Sequence, residues 1–228
     1  MKWPKTITIG QARDIQTYLR SKVRITPFMD EPRCAAGVDA AFTDTHVFAA
    51  VCLYRLPEGI CIEQATAVQK LLFPYVPGYL AFREGPAIME AVKRLGRRPD
   101  VILVDGQGIA HPRGIGIASH LGVLLDLPAI GCAKTRLIGE YREPGMKKGK
   151  WTELRWEGSA VGAVLRTRDA ARPLYISPGH RVDLASSVRI VLACLGRYRI
   201  PEPLRCADRL SKELKRGDLP QTRREGRD

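Results

Sequence analysis

With 228 residues, 37 Lys and Arg against 24 Asp and Glu, and a net charge of +13, the chain is more basic than solubility requires. Such an excess selects for polyanionic partners, nucleic acid first. A hydrophobic content of 45% excludes a disordered chain, and no apolar run approaches the roughly 20 residues of a membrane span.

The amino-terminal stretch lacks the apolar centre of a secretion signal. Six cysteines, Cys34, Cys52, Cys61, Cys132, Cys194 and Cys206, lie scattered with no C-x-x-C pair. They read as reduced core thiols rather than a disulfide frame or a zinc site, and the expected compartment is the cytoplasm. The length fits one domain over residues 1–228, with a disordered tail from about 217 to 228. Only +3 of the charge lies in the last 24 residues, so the basicity belongs to the body.

In chain order, Ile15, Leu19 and Val23 recur every four residues and predict an amphipathic helix from Gly10 to Val23. Three strand-like runs follow, Cys34 to Phe42, Val47 to Arg55 and Ile60 to Leu72, and the short polar turns between them argue for an antiparallel meander. Asp39 interrupts the first run. A carboxylate among residues otherwise buried is costly unless it is paired or holds a metal; the alternative is the solvent side of an edge strand. Phe73 to Tyr79, Phe-Pro-Tyr-Val-Pro-Gly-Tyr, is too proline-rich for regular structure, and its two prolines would hold Tyr75 outward at little entropic cost. Gly85-Pro86 predicts a helix start with Pro at its first position, which makes Glu84 either a helix-capping anion or a site residue.

Val101 to Val104 is an unbroken apolar run, the pattern of a strand buried on both faces, and it ends in Asp105-Gly106-Gln107-Gly108. Asp-Gly by itself is a turn. Followed by Gln107, His111, Arg113 and Lys134, it carries more polar equipment than a turn needs. A carboxylate at the carboxyl end of a central strand also lies where open α/β sheets bind ligands. Further elements are a helix from Gly116 to Leu125, a buried strand from Ala129 to Cys132, a mobile loop from Tyr141 to Lys150 and a hairpin from Trp151 to Arg166. A short strand from Leu174 to Ser177, a helix from Leu184 to Leu195 capped by Asp183, and a last helix from Arg205 to Lys215 complete the reading.

Three strands in a meander, then helix, strand, helix, strand and terminal helices form the succession of a ribonuclease H-like α/β fold. Its centre is a mixed five-stranded sheet flanked by helices, here with an extra hairpin insertion. In that fold the first and fourth strands lie parallel and adjacent, which makes Asp39 and Asp105 neighbours. Two carboxylates that close raise one pKa unless a cation sits between them, and an oxygen-only ligand set suits Mg²⁺ or Mn²⁺. Such an ion can orient a water and stabilise the charge on a phosphodiester, so the chain is a candidate nuclease.

Phe73 to Glu84, Val104 to Arg113, Gly116 to His120, Ile176 to His180 and Pro201 to Arg205 closely resemble the signature segments of the endonuclease V family, deoxyinosine-directed repair nucleases. The resemblance spans about Gly10 to Lys215. It implies that Asp39 and Asp105 ligate Mg²⁺, with Mn²⁺ as a substitute, and that Glu84 and Asp208 are further candidate ligands. Glu84 completes the acidic cluster, and Lys134 contacts the scissile phosphate or supports the attacking water. It further implies a wedge of Pro74, Tyr75, Val76 and Pro77 pushed into the duplex, and a hypoxanthine pocket lined by Gly78, Leu80, Gly106, Gln107, His111, Gly116 and Ile117. The implied reaction is hydrolysis of the second phosphodiester 3′ to deoxyinosine in single- or double-stranded DNA, leaving a 3′-hydroxyl and a 5′-phosphate, by a monomer. Where some relatives carry His this chain has Asp208, which adds negative charge and cannot be a cationic acid near neutral pH. His46, His120 and His180 read as structural. The alternatives are an endoribonuclease acting on inosine in RNA and a protein that binds lesions without cutting.

Overall fold

The meander is formed by β1 (Cys34–Phe42), β2 (His46–Arg55) and β3 (Ile60–Lys70), and β1 then pairs in parallel with β4 (Val101–Val104). The computed structural model describes residues 7–217; the part of the expected tail beyond Gly217 lies outside the described residues. The sheet continues through β5 (Ala129–Ala133), parallel to β4, and ends in β6 (Trp151–Trp156), β7 (Ser159–Leu165) and β8 (Leu174–His180), in the order β3-β2-β1-β4-β5-β8-β7-β6.

Eight strands thus replace the expected five with an inserted hairpin. The reason is β8, which runs three residues past the predicted end and pairs antiparallel with β5 on one side and β7 on the other. Pro178 has no amide hydrogen for the ladder, and the register shifts opposite it, between Ala129 and Ile130, so the strand survives its proline through a bulge.

Alternation along β1 divides the core. Ala36 and Val38 pack with α2 (Leu80–Lys93) and α3 (Ile117–Leu125), while Ala35 packs on the other face with β5, β7, β8 and α4 (Leu184–Ala193). The central strands are buried on both faces and read as continuous apolar runs for that reason.

Helix boundaries differ from the sequence reading in informative ways. α1 (Ile9–Arg20) begins with a capping box at Thr8 and buries Ala12, Gln16 and Leu19; Val23 lies beyond its end. α2 starts at Leu80, six residues before the expected first position at Pro86, and carries Pro86 inside it, so Glu84 lies within the helix and does not cap it. α5 (Glu202–Arg216) also starts early: Pro203 fits its first turn, where a backbone N–H would lack a partner in any case. The loop from Tyr141 to Lys150 is tied down rather than mobile. The guanidinium of Arg166, 3% exposed, donates to the carbonyls of Gly145 and Pro144 at 3.2 and 3.0 Å and to Glu143 at 2.7 Å. Among the described residues no helix is long and apolar enough to cross a membrane.

α5 lies on β1 at the closest approach its backbone allows. A Cβ on Gly37 would stand 2.1 Å from the carbonyl carbon of Pro203. Gly37→Ala is therefore expected to cost about 1–3 kcal/mol through forced displacement of α5. A urea titration checks this: the midpoint falls at unchanged slope, and an unaltered midpoint contradicts the contact.

Candidate active site

Val38 is paired with Val104 in the parallel β1–β4 ladder, so the next residues, Asp39 and Asp105, emerge side by side at the carboxyl edge of the sheet. Glu84, 9% exposed, reaches the same edge from α2, and Asp208 reaches it from α5. Burial and the charges of Asp105 and Asp208 push the Asp39 carboxyl up to about 7. Burial, then Asp39 and Asp105, hold Glu84 well above the usual carboxylate range. Lys134, just past β5, bonds to Oδ2 of Asp105. Burial pulls its ammonium down, but that bond and the charges of Asp105, Asp39 and Asp208 outweigh burial and raise it. Asp39 Oδ2 also accepts a long hydrogen bond from Ser211 Oγ at 3.5 Å, and Asp208 holds Lys212 at 2.7 Å.

Four carboxyl groups with two ammoniums among them, Lys134 on Asp105 and Lys212 on Asp208, crowd acidic groups where burial makes charge costly, and a divalent cation is the natural counter-charge. The donors are all oxygen, as a hard cation prefers. The ligand atoms of Asp39, Glu84 and Asp105 do not converge within 4.8 Å, so a shared ion requires these side chains to draw together.

Beside the acidic edge opens a cavity of about 470 Å³. All seven residues expected in the base pocket line it, together with Tyr75, Val76 and Pro77 of the expected wedge and with Asp105 and Lys134. Pro74 does not. A second cavity, of about 390 Å³, lies on the other side of Asp105 and Lys134 and is lined by Tyr54, Arg205 and Asp208 among others. The two residues at the acidic edge therefore stand between two compartments. Within the first, Gln107 donates Nε2 to the carbonyl of Thr135 at 3.1 Å, while its buried Oε1 has no hydrogen-bond partner. A buried acceptor without a donor is costly, and a ligand can relieve it.

The wedge is anchored at both ends. Phe73 and Tyr79 flank it, both buried, and pack with Phe82 and Ala12. Tyr75 between them is 71% exposed. Gly78 follows with φ +80°, a conformation that side chains with a Cβ seldom adopt, and its carbonyl is the focus of three donors. Gln16 Nε2 reaches it at 2.9 Å, Arg113 Nη2 at 2.6 Å and His111 Nε2 at 3.0 Å. Since a carbonyl only accepts, His111 carries its proton on Nε2, and its bare Nδ1 accepts from the Arg113 backbone at 3.2 Å. Burial, and then the charge of Arg113, pull His111 down to about 4, so this neutral tautomer persists at neutral pH. Arg113 also donates to Gln16 Oε1 at 2.6 Å and stacks on Tyr79, 4.2 Å from its ring centroid.

Gln16 was missed by the sequence reading, although a polar residue in a buried helical stripe between Ala12 and Leu19 is a detectable signal. Arg113 stood in a recognised motif without a role. His120 is buried edge-on against Phe82, 5.0 Å between ring centres, in line with a structural part, and His180 lies against Asp126 away from the acidic edge.

A sheet that carries paired aspartates at the ends of parallel central strands, on a strongly basic body, defines a nuclease of ribonuclease H-like architecture. Comparison with known proteins is more specific. A family model described as Endonuclease V matches residues 17–209. An Endonuclease V of Roseiflexus sp. (strain RS-1) is 46% identical over 209 residues, covering 92% of this chain and 93% of that relative, and one of Geotalea uraniireducens is 47% identical over 208 residues, 91% of this chain and 89% of that relative. The crystal structure of Endonuclease V from Streptomyces avermitilis superposes with a TM-score of 0.89 at 40% identity, covering 95% of this chain and 96% of that one. Ciona intestinalis Endonuclease V, solved with a 24-mer DNA containing an inosine followed by a ribo-adenosine, superposes with a TM-score of 0.81 at 27% identity, covering 92% and 99%. The chain belongs to the Endonuclease V family and is an endonuclease.

Two outcomes follow from the geometry. Arg113→Met removes one of the three donors to the Gly78 carbonyl together with the tie to Gln16, and amide hydrogen exchange over residues 76–80 is expected to quicken by about tenfold or more, with α3 unchanged. Equal protection in the variant contradicts the clamp. The raised carboxyls set a sign for stability: between pH 4 and 7 the folded chain holds protons on Asp39 and Glu84 that the unfolded chain has released. The metal-free protein is thus expected to lose stability as pH rises through that window, and millimolar Mg²⁺ to flatten the loss. Chemical denaturation at several pH values measures both.

Proposed function

We propose that the chain is a Mg²⁺-dependent DNA repair endonuclease that recognises deoxyinosine and hydrolyses the second phosphodiester on its 3′ side. The observation that carries this reading is the shared wall. Asp105 and Lys134 border both a base-sized cavity and a second compartment, so a flipped base and a phosphate further along the same strand can be held at once.

Hypoxanthine presents an N1–H donor where adenine presents a lone pair. The unspent Oε1 of Gln107 accepts from the first and repels the second, which gives the pocket a physical basis for choosing deaminated adenine. Tyr75 fills the gap left by the extruded base, and because its loop is already fixed at Phe73 and Gly78, little ordering entropy is lost on insertion.

Asp39 and Asp105 would hold the cation, with Glu84 and Asp208 as further donors. Bound there, it supplies Lewis-acid stabilisation of the phosphate and an activated water. Glu84, held within α2, would bring a third carboxyl to the acidic edge. Lys134, which bonds to Asp105 at this edge, would face the phosphate oxygens and offset charge developing during displacement. The oxygen of water bonds to phosphorus as the P–O3′ bond breaks, and the departing oxygen takes up a proton from solvent, leaving a 3′-hydroxyl and a 5′-phosphate. Mn²⁺ would substitute, since it accepts the same oxygen donors. Six free thiols fit a reducing compartment, the cytoplasm, and the enzyme acts as a monomer.

A labelled duplex with one inosine tests the reading. The expected product is a single nick one nucleotide 3′ of the lesion, lost with EDTA and in Asp39→Ala or Asp105→Ala; a cut elsewhere, or one that survives chelation, refutes it. Tyr75→Ala should weaken binding to the lesion by about 1–3 kcal/mol, the usual worth of a base–aromatic stack, read as roughly 5- to 150-fold in Kd. Gln107→Leu should lower inosine binding by about tenfold while binding to undamaged DNA stays unchanged.

The Ciona relative's ligand places a ribo-adenosine after the inosine, which favours a second reading, cleavage of inosine-containing RNA. Competition between matched DNA and RNA strands separates the two, because only contacts to the 2′-hydroxyl distinguish them.

A further inference from the structure

On the face of the sheet covered by α5, behind the acidic edge, three cysteines remote in sequence come together. Cys52 lies on β2, Cys61 on β3 and Cys206 on α5, and their sulfurs fall within 4.8 Å of one another. Among the described residues this is the only set of three Cys, His, Asp or Glu side chains that close. All three are free thiols; Cys52 and Cys206 are buried and Cys61 is half-buried. The amide of Gln64 caps them, 3.5 Å from the sulfur of Cys61 and 3.4 Å from that of Cys206.

We propose that this cluster is a zinc site, distinct from the carboxylate edge. Thiolates are soft donors that select Zn²⁺ over Mg²⁺. Zinc–sulfur bonds of about 2.3 Å place tetrahedral sulfurs roughly 3.8 Å apart, so a small inward rotation of each side chain closes the shell. Three thiolates leave one tetrahedral position. Gln64 faces it, and turning its amide end for end presents Oε1 as the fourth donor without moving the side chain. Zn²⁺ also leaves a single net negative charge on the site. The half-buried Cys61 gives an entry path, and the buried Cys52 and Cys206 hold the far side dry.

The bound ion would join β2, β3 and α5. Cys206 stands two residues before Asp208 and one turn before Ser211, which donates to Asp39, so the ion fixes the helix that closes the acidic edge. Its role is structural: Cys206 borders the second cavity, but none of the ligands lines the base cavity.

The full chain, reduced with a phosphine and kept in excess Mg²⁺ to saturate the carboxylates, is titrated with Co²⁺ as an optical stand-in for zinc. One equivalent should give a thiolate-to-cobalt charge-transfer band that Zn²⁺ bleaches. Oxygen ligands at the acidic edge give no such band. Cys61→Ser, a conservative change at a half-buried strand position, should lose the band and still nick inosine-containing duplex in Mg²⁺. Absence of the band in the natural chain, or its persistence in Cys61→Ser, overturns the proposal. As a measurement free of variants, Zn²⁺ should slow alkylation of Cys61 at least tenfold, read by mass spectrometry; an unchanged rate also overturns it.

Discussion

Backbone hydrogen bonds between β1 and β4 hold Val38 opposite Val104 and so deliver Asp39 and Asp105 to one point, where their like charges work against the pairing that placed them there. The fold withstands this because the strands below are buried on both faces and cannot slip without exposing a full row of apolar side chains. Burial first, and then that repulsion, raise the carboxyl pKa values of Asp39 and Glu84, and Lys134 bonds to Asp105. An edge so charged is an incomplete electrostatic arrangement, and a cation completes it.

The neighbouring cavity depends on a different constraint. The Gly78 carbonyl gathers Gln16 from α1, His111 and Arg113 from the loop after β4, and thereby fixes the end of the wedge relative to the pocket floor. Gly78 must be glycine twice over: its φ is positive, and a Cβ would stand 2.7 Å from the Arg113 guanidinium. Two buried aromatic anchors do the corresponding work at the other end. Between these anchors Pro74, Tyr75 and Pro77 are exposed, Tyr75 by 71%.

α5 connects the two halves of the molecule. Its first turn lies against Gly37 of β1 with no room for a methyl group, its middle carries Cys206 into the thiol cluster, and its later turns bring Asp208 and Ser211 to the acidic edge. Any displacement of this helix alters the surroundings of Asp39. A substitution at Gly37, which lines neither cavity, therefore reaches the site through the backbone rather than through charge.

Local pattern was enough to read the meander, the buried β4, the Asp183 cap and the exposed aromatic of the wedge, since each rests on periodicity, a capping residue or a proline within a few positions. Order of elements, with the segment resemblance, was enough to place Asp39 beside Asp105. What the sequence could not decide were effects that need a partner from elsewhere in the chain. Pro86 and Pro203 looked like helix limits, yet tertiary packing carried α2 and α5 past them, and Pro178 stayed within β8 because a bulge absorbed its missing donor. Arg166 immobilised a loop whose glycines and lysines suggested motion. The focus of donors on Gly78, the unpaired oxygen of Gln107 and the meeting of Cys52, Cys61 and Cys206 have no trace in spacing, because partners as remote as Gln16 and Gly78, or Cys52 and Cys206, meet only after the sheet has set its register.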